Sequence, residues 1–201
     1  NDALLNFGQA DEKAKRDKYL SISQEQLQRL SGLVEQILTM SMEQRKTFRL
    51  RPEEITLATL LESLTEQHKL KAQNPIDIDY RVEPANLTVF ADRTHFSNIL
   101  SNLIDNAVKY SPGKAFIRIH CRETADNGKV EISVSDEGTG IAQEKQKHIF
   151  DKFYRVPTGN LHNVKGYGLG LYYVKTMIEK HGGTVCVKSE PGHGSTFTIT
   201  L

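Results

Sequence analysis

Tryptophan is absent from this 201-residue chain, cysteine occurs twice and proline six times, and neither sign of charge dominates. Each scarcity excludes something. Cys121 and Cys186 are far apart and stand in no C-x-x-C or other ligand spacing, so they read as small core residues within strands, in a reducing compartment. The seven histidines form no H-x-x-x-H or H-E-x-x-H pair, which argues against a structural zinc. A formal net charge of +1 argues against a chain dominated by nucleic-acid or anionic-membrane binding.

Long apolar runs are lacking too. None approaches the ~20 residues of a membrane helix, and no signal peptide opens the chain, so this portion reads as soluble and cytoplasmic. The chain begins at Asn1 without a methionine. It is therefore expected to be a piece of a longer parent, with anything membrane-bound lying outside it. Internal repeats and low-complexity tracts are missing, and no G-x-x-x-x-G-K-[ST] occurs, which excludes the usual P-loop.

What is present centres on His95 to Ser111, HFSNILSNLIDNAVKYS. Phe96, Ile99, Leu100, Leu103 and Ala107 fall on one stripe at about 100° per residue, predicting an amphipathic helix. Asp92 is placed to cap it, and Ser111-Pro112-Gly113 ends it. On a separate stripe lie Asn98, Asn102, Asn106 and Lys109, with Tyr110 beside them. Asparagine is a poor residue for a helix interior because its short amide competes with the backbone for hydrogen bonds. Either the stripe is a solvated polar face, or its amide oxygens serve a hard cation such as Mg²⁺ while Lys109 meets phosphate oxygens.

Around that helix the chain divides at about residue 50. Residues 1–50 carry the pattern of a helical hairpin, in which Leu20, Leu27, Leu30, Val34 and Ile37 take a and d positions of a bundle seam. The short first helix cannot cover the second, which predicts a homodimeric four-helix bundle. From 51 to 201 the pattern alternates helix and strand. A helix carries Leu57, Leu60, Leu61 and Leu64, and strands follow at Ile76–Tyr80 and Leu87–Ala91. Beyond the asparagine helix, Ala115, Ile117, Ile119 and Cys121 share one face of a strand joined through Asp126-Asn127-Gly128 to its partner.

On that partner strand Val130, Ile132 and Val134 point inward, and the two-residue period turns Asp136 the same way. An ionised carboxylate at such a position needs donors. With Gly138 and Gly140 leaving space before it, Asp136 reads as a pocket floor; the bland reading is an aspartate ending a strand at a turn. A helix is predicted over Gln143–Ile149, then a mobile loop over Val156–Lys165. The loop runs into Gly166-Tyr167-Gly168-Leu169-Gly170, which opens a helix with Leu171, Val174 and Ile178 inward and Gly182-Gly183 as its stop. Glycines at a helix start expose N–H groups to an anion, which makes a phosphate cradle. Its G-x-G-x-G spacing after a loop is not a dinucleotide-binding fingerprint.

In combination, Asn102–Ala107 (N-L-I-D-N-A), Asp136-x-Gly138-x-Gly140, Phe150-x-x-Phe153-Tyr154-Arg155 and Gly166-x-Gly168-x-Gly170-Leu171 resemble the N, G1, F and G2 boxes of sensor histidine kinases, in the family's order. These kinases belong to the GHKL ATPases. The resemblance covers about Arg51 to Leu201, and the preceding hairpin is similar to the family's dimerisation domain.

The resemblance implies an α/β (α+β) two-layer sandwich, with helices on one face of a mixed five-stranded sheet. It implies ATP and Mg²⁺ as ligands. Asp136 would bind the adenine amine, with a water relayed by Thr196. Asn106 would ligate Mg²⁺, with Asn102 as its neighbour, and Lys109 and Tyr110 would line phosphates and base. The loop before Gly166 would be an ATP lid anchored by Phe150 and Phe153. Arg155 matches the F-box arginine, and Gly138, Gly140, Gly168, Gly170 and Leu171 stand at their box positions. Glu137 stands where many members have asparagine.

The reaction implied is transfer of the ATP γ-phosphoryl to a histidine and then to an aspartate on the receiver domain of a response regulator, in a parent anchored in a membrane. One departure matters. The family's acceptor histidine is followed shortly by Thr-Pro, and none of the six prolines follows a threonine. The acceptor is expected before Asn1. Two rivals remain: an ATP-driven clamp such as a chaperone or topoisomerase module, and a dimeric scaffold that has lost nucleotide. The F box and the hairpin oppose the first, and intact Asn106 and Asp136 the second.

Overall fold

A short pairing absent from the sequence expectation opens the folded unit. The computed structural model describes residues 15–20, 22–23, 27, 49–72, 75–125, 128–156 and 168–201, and the chain divides into two units, Asn1–Phe48 and Arg49–Leu201. In the first unit the described residues are helical, with Leu20 and Leu27 exposed. The remainder of the predicted hairpin and bundle seam lies outside the described residues.

In the second unit, β1 (Pro52–Thr56) pairs antiparallel with β3 (Thr88–Asp92) as a two-stranded sheet. Only a proline at a boundary is legible here in the sequence, because PEEIT has a single apolar residue. Ile55 is nevertheless fully buried opposite Val89. Proline is compatible with the first position of an edge strand, where no ladder donor is needed.

The remaining strands, β2 (Ile76–Glu83), β4 (Ala115–Glu123), β5 (Val130–Asp136), β6 (Thr184–Ser189) and β7 (Ser195–Thr200), form one sheet in the order β2-β4-β5-β7-β6. The β2–β4 pair is parallel and the other three pairs are antiparallel. The expected mixed five-stranded sheet is therefore present. Ile78, Ile117, Ile119, Ile132, Val134, Phe197 and Ile199 face one side and are buried. The other side carries Arg118, His120, Arg122, Glu131, Ser133, Ser135 and Thr196, tied by ion pairs such as Arg122–Glu131 at 2.6 Å.

Helices α1 (Leu57–Lys71), α2 (Arg93–Lys109) and α4 (Gly170–Lys180) supply the apolar layer, with a single turn, α3 (Gln143–Gln146), before α4. On α2 the predicted stripe is buried and Ile104 joins it. Each large side chain so covered contributes about 1.5–3 kcal/mol. Asp92 accepts the His95 N–H at 3.2 Å, as its capping position predicts. At the other end of α4 the Gly183 N–H reaches the Ile178 carbonyl at 3.0 Å and the Gly182 N–H that of Glu179 at 3.0 Å, closing the helix at its glycines.

Three expectations change. The predicted helix over 143–149 is one turn, because its one apolar residue, Ile149, belongs to the turns that follow it. The inward face of α4 is Tyr173, Val174, Met177 and Ile178 rather than Leu171. Cys121 is buried as expected, but Cys186 is exposed. It pairs with Thr198 on the uncovered face of the sheet.

Candidate functional site

The carboxyl end of β5 delivers Asp136 to a cavity between α2, the glycine loop after β5 and the start of α4. The cavity measures about 80 Å³, several times the ~10–15 Å³ that one water needs. Ile141, Ile149, Leu171 and Phe197 supply apolar walls; Asn106, Asp136 and Ser195 supply polar groups; Tyr110, Tyr154 and Arg155 line it as well. Sparse polar groups on apolar walls orient a ligand without flooding it with water.

Asp136 is held there by the loop it precedes. The Gly138 N–H donates to its Oδ1 at 2.8 Å, and its register partner on β7 is Ser195. Burial pushes the carboxyl above its ordinary value, while the N–H groups of Gly138 and Ser195 pull it back. The loop is strapped to the end of α2 by the Thr139 N–H on the Tyr110 carbonyl at 3.0 Å. A β-carbon on Gly138 would lie 2.6 Å from that same carbonyl oxygen. Gly140 has φ +66°, and a β-carbon there would stand 1.9 Å from the Glu190 carbonyl oxygen. Only glycine permits both approaches.

The asparagine stripe divides by position. Asn98 is exposed, and its carbonyl takes the Asn102 amide at 2.8 Å. Asn102 turns its oxygen to Gly170 at the head of α4 and does not line the cavity. Asn106, one turn on, does line it. Lys109 Nζ lies over the Tyr110 ring, 4.9 Å from its centre. Tyr110 is half-buried, and burial raises its phenol above the ordinary value while nearby Arg155 lowers it.

Of the F-box residues, Phe150 packs edge-on against Phe197 with ring centres 6.4 Å apart, while Arg155 lines the cavity. The Phe153 ring is 63% exposed, and the lid that it is expected to anchor lies outside the described residues. The φ of Phe153 is +64°, and its N–H binds the Gly168 carbonyl at 3.0 Å. Gly168 follows the loop with φ +71°, where a β-carbon would meet the Tyr154 carbonyl oxygen at 2.6 Å. Gly166 and, but for Val156, the expected lid over Val156–Lys165 lie outside the described residues.

Thr196 is also displaced from its expected role. It faces the open side of the sheet and pairs with the Ser135 hydroxyl at 2.9 Å. Ser195 takes the cavity position. The same two-residue period that turned Asp136 inward assigns Ser195 with Phe197, so the signal was in the sequence. Ile141, Ile149 and Tyr154 were missed for lack of one, since no periodicity runs through the turns that hold them.

Residues 91–201, more than half of the chain, match the family described as histidine kinase-, DNA gyrase B- and HSP90-like ATPase. The chain belongs to this ATPase family. Among its relatives is the sensor protein RprX of Bacteroides fragilis, 41% identical over 178 residues, which are 88% of this chain and 34% of RprX. Full-length ShkA, solved with AMPPNP, superposes with a TM-score of 0.77 at 27% identity over 99% of this chain and 40% of ShkA. Histidine kinase ThkA, solved with the response regulator TrrA, gives a TM-score of 0.72 at 26% identity over 98% of this chain and 54% of ThkA. The chain spans about a third to a half of the length of the curated relatives it matches. Within the ATPase family the four sequence boxes acquire one shared location: all except Gly166 lie on the described elements around the cavity or its glycine loops.

Proposed function

We propose that residues 51–201 bind Mg²⁺-ATP in this cavity and form the catalytic part of a sensor histidine kinase. The observation that carries the reading is Asp136, a half-buried carboxylate that retains free lone pairs towards a cavity with apolar walls. A base amine facing it gives the acceptor a donor and the flat ring a dry surface. Towards phosphates, Asn102 and Gly170 bring the asparagine helix against the start of α4, where N–H groups favour an anion.

The donor set fits magnesium. Asn106 offers a hard amide oxygen at the cavity, and among the described residues no three His, Cys, Asp or Glu side chains converge. Mg²⁺ is commonly held by one or two protein oxygens together with the substrate's phosphates, rather than by a protein cage. When bound, it neutralises charge on the phosphoryl group. The chain's own part is positional: Asp136 fixes the base, Asn106 and Lys109 face the phosphate end, and the apolar walls exclude water. Phosphoryl transfer asks mainly for such placement.

In the longer protein the γ-phosphoryl passes to a histidine outside this chain and then to a receiver-domain aspartate of a response regulator; the ThkA complex with TrrA supports that partner class. Residues 1–50 are assigned to a homodimerising hairpin, this portion to the cytoplasm and the parent to a membrane. Among the described residues no helix is long and apolar enough to cross one.

The reading is tested by titrating Mg²⁺-ATP into the protein and its Asp136→Asn variant. Loss of binding with the fold intact is expected, and unchanged affinity overturns it. Mixed with radiolabelled ATP and a longer form that carries the acceptor histidine, the chain is expected to label that histidine. Label on serine or threonine alone excludes the kinase class.

A further inference from the structure

Ser189 ends β6 just outside the cavity, and its hydroxyl has three polar partners. The Ile141 N–H donates to Ser189 Oγ at 2.8 Å. The Gly194 carbonyl oxygen lies 2.7 Å from it, and Ser195 Oγ 2.9 Å. Two of these neighbours, Ile141 and Ser195, line the cavity. Gln146 holds the surrounding backbone, its Nε2 donating to the Ser189 carbonyl at 2.7 Å and the Ile141 carbonyl at 2.8 Å.

Counting protons fixes the direction of every bond in this group. A hydroxyl has one proton and two lone pairs. The Gly194 carbonyl can only accept, so the Ser189 proton points to it. The Ile141 N–H takes one lone pair, and the other is left for Ser195. Ser195 is therefore the donor in the serine pair. With its proton committed to Ser189, it turns only lone pairs towards the cavity. Across the β5–β7 ladder stands Asp136, a second acceptor, with the Gly138 N–H already on its Oδ1.

We propose that Ser189 is a positioning residue that sets the hydrogen-bond polarity of the base pocket, so that the pocket takes a base presenting an exocyclic amine and rejects a 6-oxo base of the same outline. The proposal rests on the reading of this cavity as the base site. A 6-oxo oxygen placed before Asp136 and Ser195 sets lone pair against lone pair, and neither of these two side chains has a proton to turn towards it. Buried acceptors left without donors are what make such discrimination steep. Ser189 itself touches no ligand in this scheme. It acts by consuming the Ser195 proton.

The test compares the Mg²⁺ complexes of ATP and inosine triphosphate by titration against the full chain; the two differ at the 6-position, amine against oxygen, and at N1, a lone pair in adenine and an N–H in the 6-oxo base. The unmodified protein is expected to prefer ATP by about a hundredfold or more. Ser189→Ala frees the Ser195 proton to enter the cavity, and the ATP-over-inosine ratio is expected to fall by about tenfold or more, beyond any loss common to both ligands. Ser189→Thr, which keeps the hydroxyl, is expected to retain the ratio, and Ser195→Ala to lose it even if Ser189→Ala does not fold. Equal weakening of both nucleotides in Ser189→Ala, or an unchanged ratio in Ser195→Ala, overturns the relay. ATP binding unimpaired by Asp136→Asn overturns the base site itself, whereas binding lost there with the ratio unchanged in Ser189→Ala overturns the relay alone.

Discussion

Asn102 on α2 and Gly170 at the first turn of α4 are in direct apposition, the amide oxygen of Asn102 lying 2.7 Å from where a β-carbon on Gly170 would stand. The two belong to motifs 68 positions apart, and their contact joins the asparagine helix to the glycine-led helix. A methyl at Gly170 must push the amide aside. Gly170→Ala is expected to change stability little, because alanine suits a helix better than glycine by about 0.5–1 kcal/mol, while weakening ATP binding. In an Asn102→Ala background the same change is expected to have a different cost, with a coupling of about 0.5–3 kcal/mol. A double-mutant cycle by urea denaturation measures it, and strict additivity removes the contact from the argument.

Gly140 carries the more severe constraint. Its φ of +66° is unfavourable for a side chain, and the obstructing atom, 1.9 Å from an added β-carbon, is a backbone oxygen that cannot rotate away. Gly140→Ala is expected to destabilise by about 2–4 kcal/mol, read as a lower denaturation midpoint.

Asp136 sets stability against binding. Burial raises its folded pKa above the ordinary 3.8. A raised carboxyl contributes its stability fully below the unfolded value and loses it as pH rises through the folded one. At neutral pH the ligand-free protein therefore bears an unfavourable charge there. Asp136→Asn is expected to melt higher than the unmodified protein at pH 7, with the gap closing in acid below the unfolded value. A gap that widens on acidification reverses the assignment.

Asp92 runs in the opposite sense. Burial acts to raise its pKa, but N–H donors outweigh burial and the net shift is downward. The Arg51 N–H donates at 2.9 Å and that of His95 at 3.2 Å. A depressed carboxyl contributes stability above its unfolded value and loses it as pH falls through the folded one. Asp92→Ala is expected to cost about 1–2 kcal/mol at neutral pH, as for a lost helix cap, and less in acid. Thermal melts at both pH values decide it.

The two cysteines are expected to differ in reactivity. Burial pushes the Cys121 thiol up to about 12, whereas Cys186 is exposed. An aromatic disulfide reagent is expected to modify Cys186 alone in the folded protein and both residues after denaturation. Equal rates in the native state contradict the strand parity described above.

Local order dictated much of this protein. The three-to-four spacing of Phe96, Ile99, Leu100 and Leu103 selected the buried face of α2, and the alternation through Val130, Ile132 and Val134 aimed Asp136 into the cavity, because those periods are set by backbone geometry and need no knowledge of neighbours. Tertiary structure decided the rest. Ile55 became a strand residue only because β3 was there to pair with it. Cys186 was exposed because helices cover one face of the sheet and leave the other open, a fact that no single strand contains. Ser195 took the cavity position assigned to Thr196, and Phe153 turned outward on a left-handed backbone, since motif spacing names residue types without fixing which way each side chain points. The direction of the Ser195 proton lay furthest from the sequence: it follows from three partners on two separate segments, Ile141 on one and Gly194-Ser195 on the other, competing for the Ser189 hydroxyl.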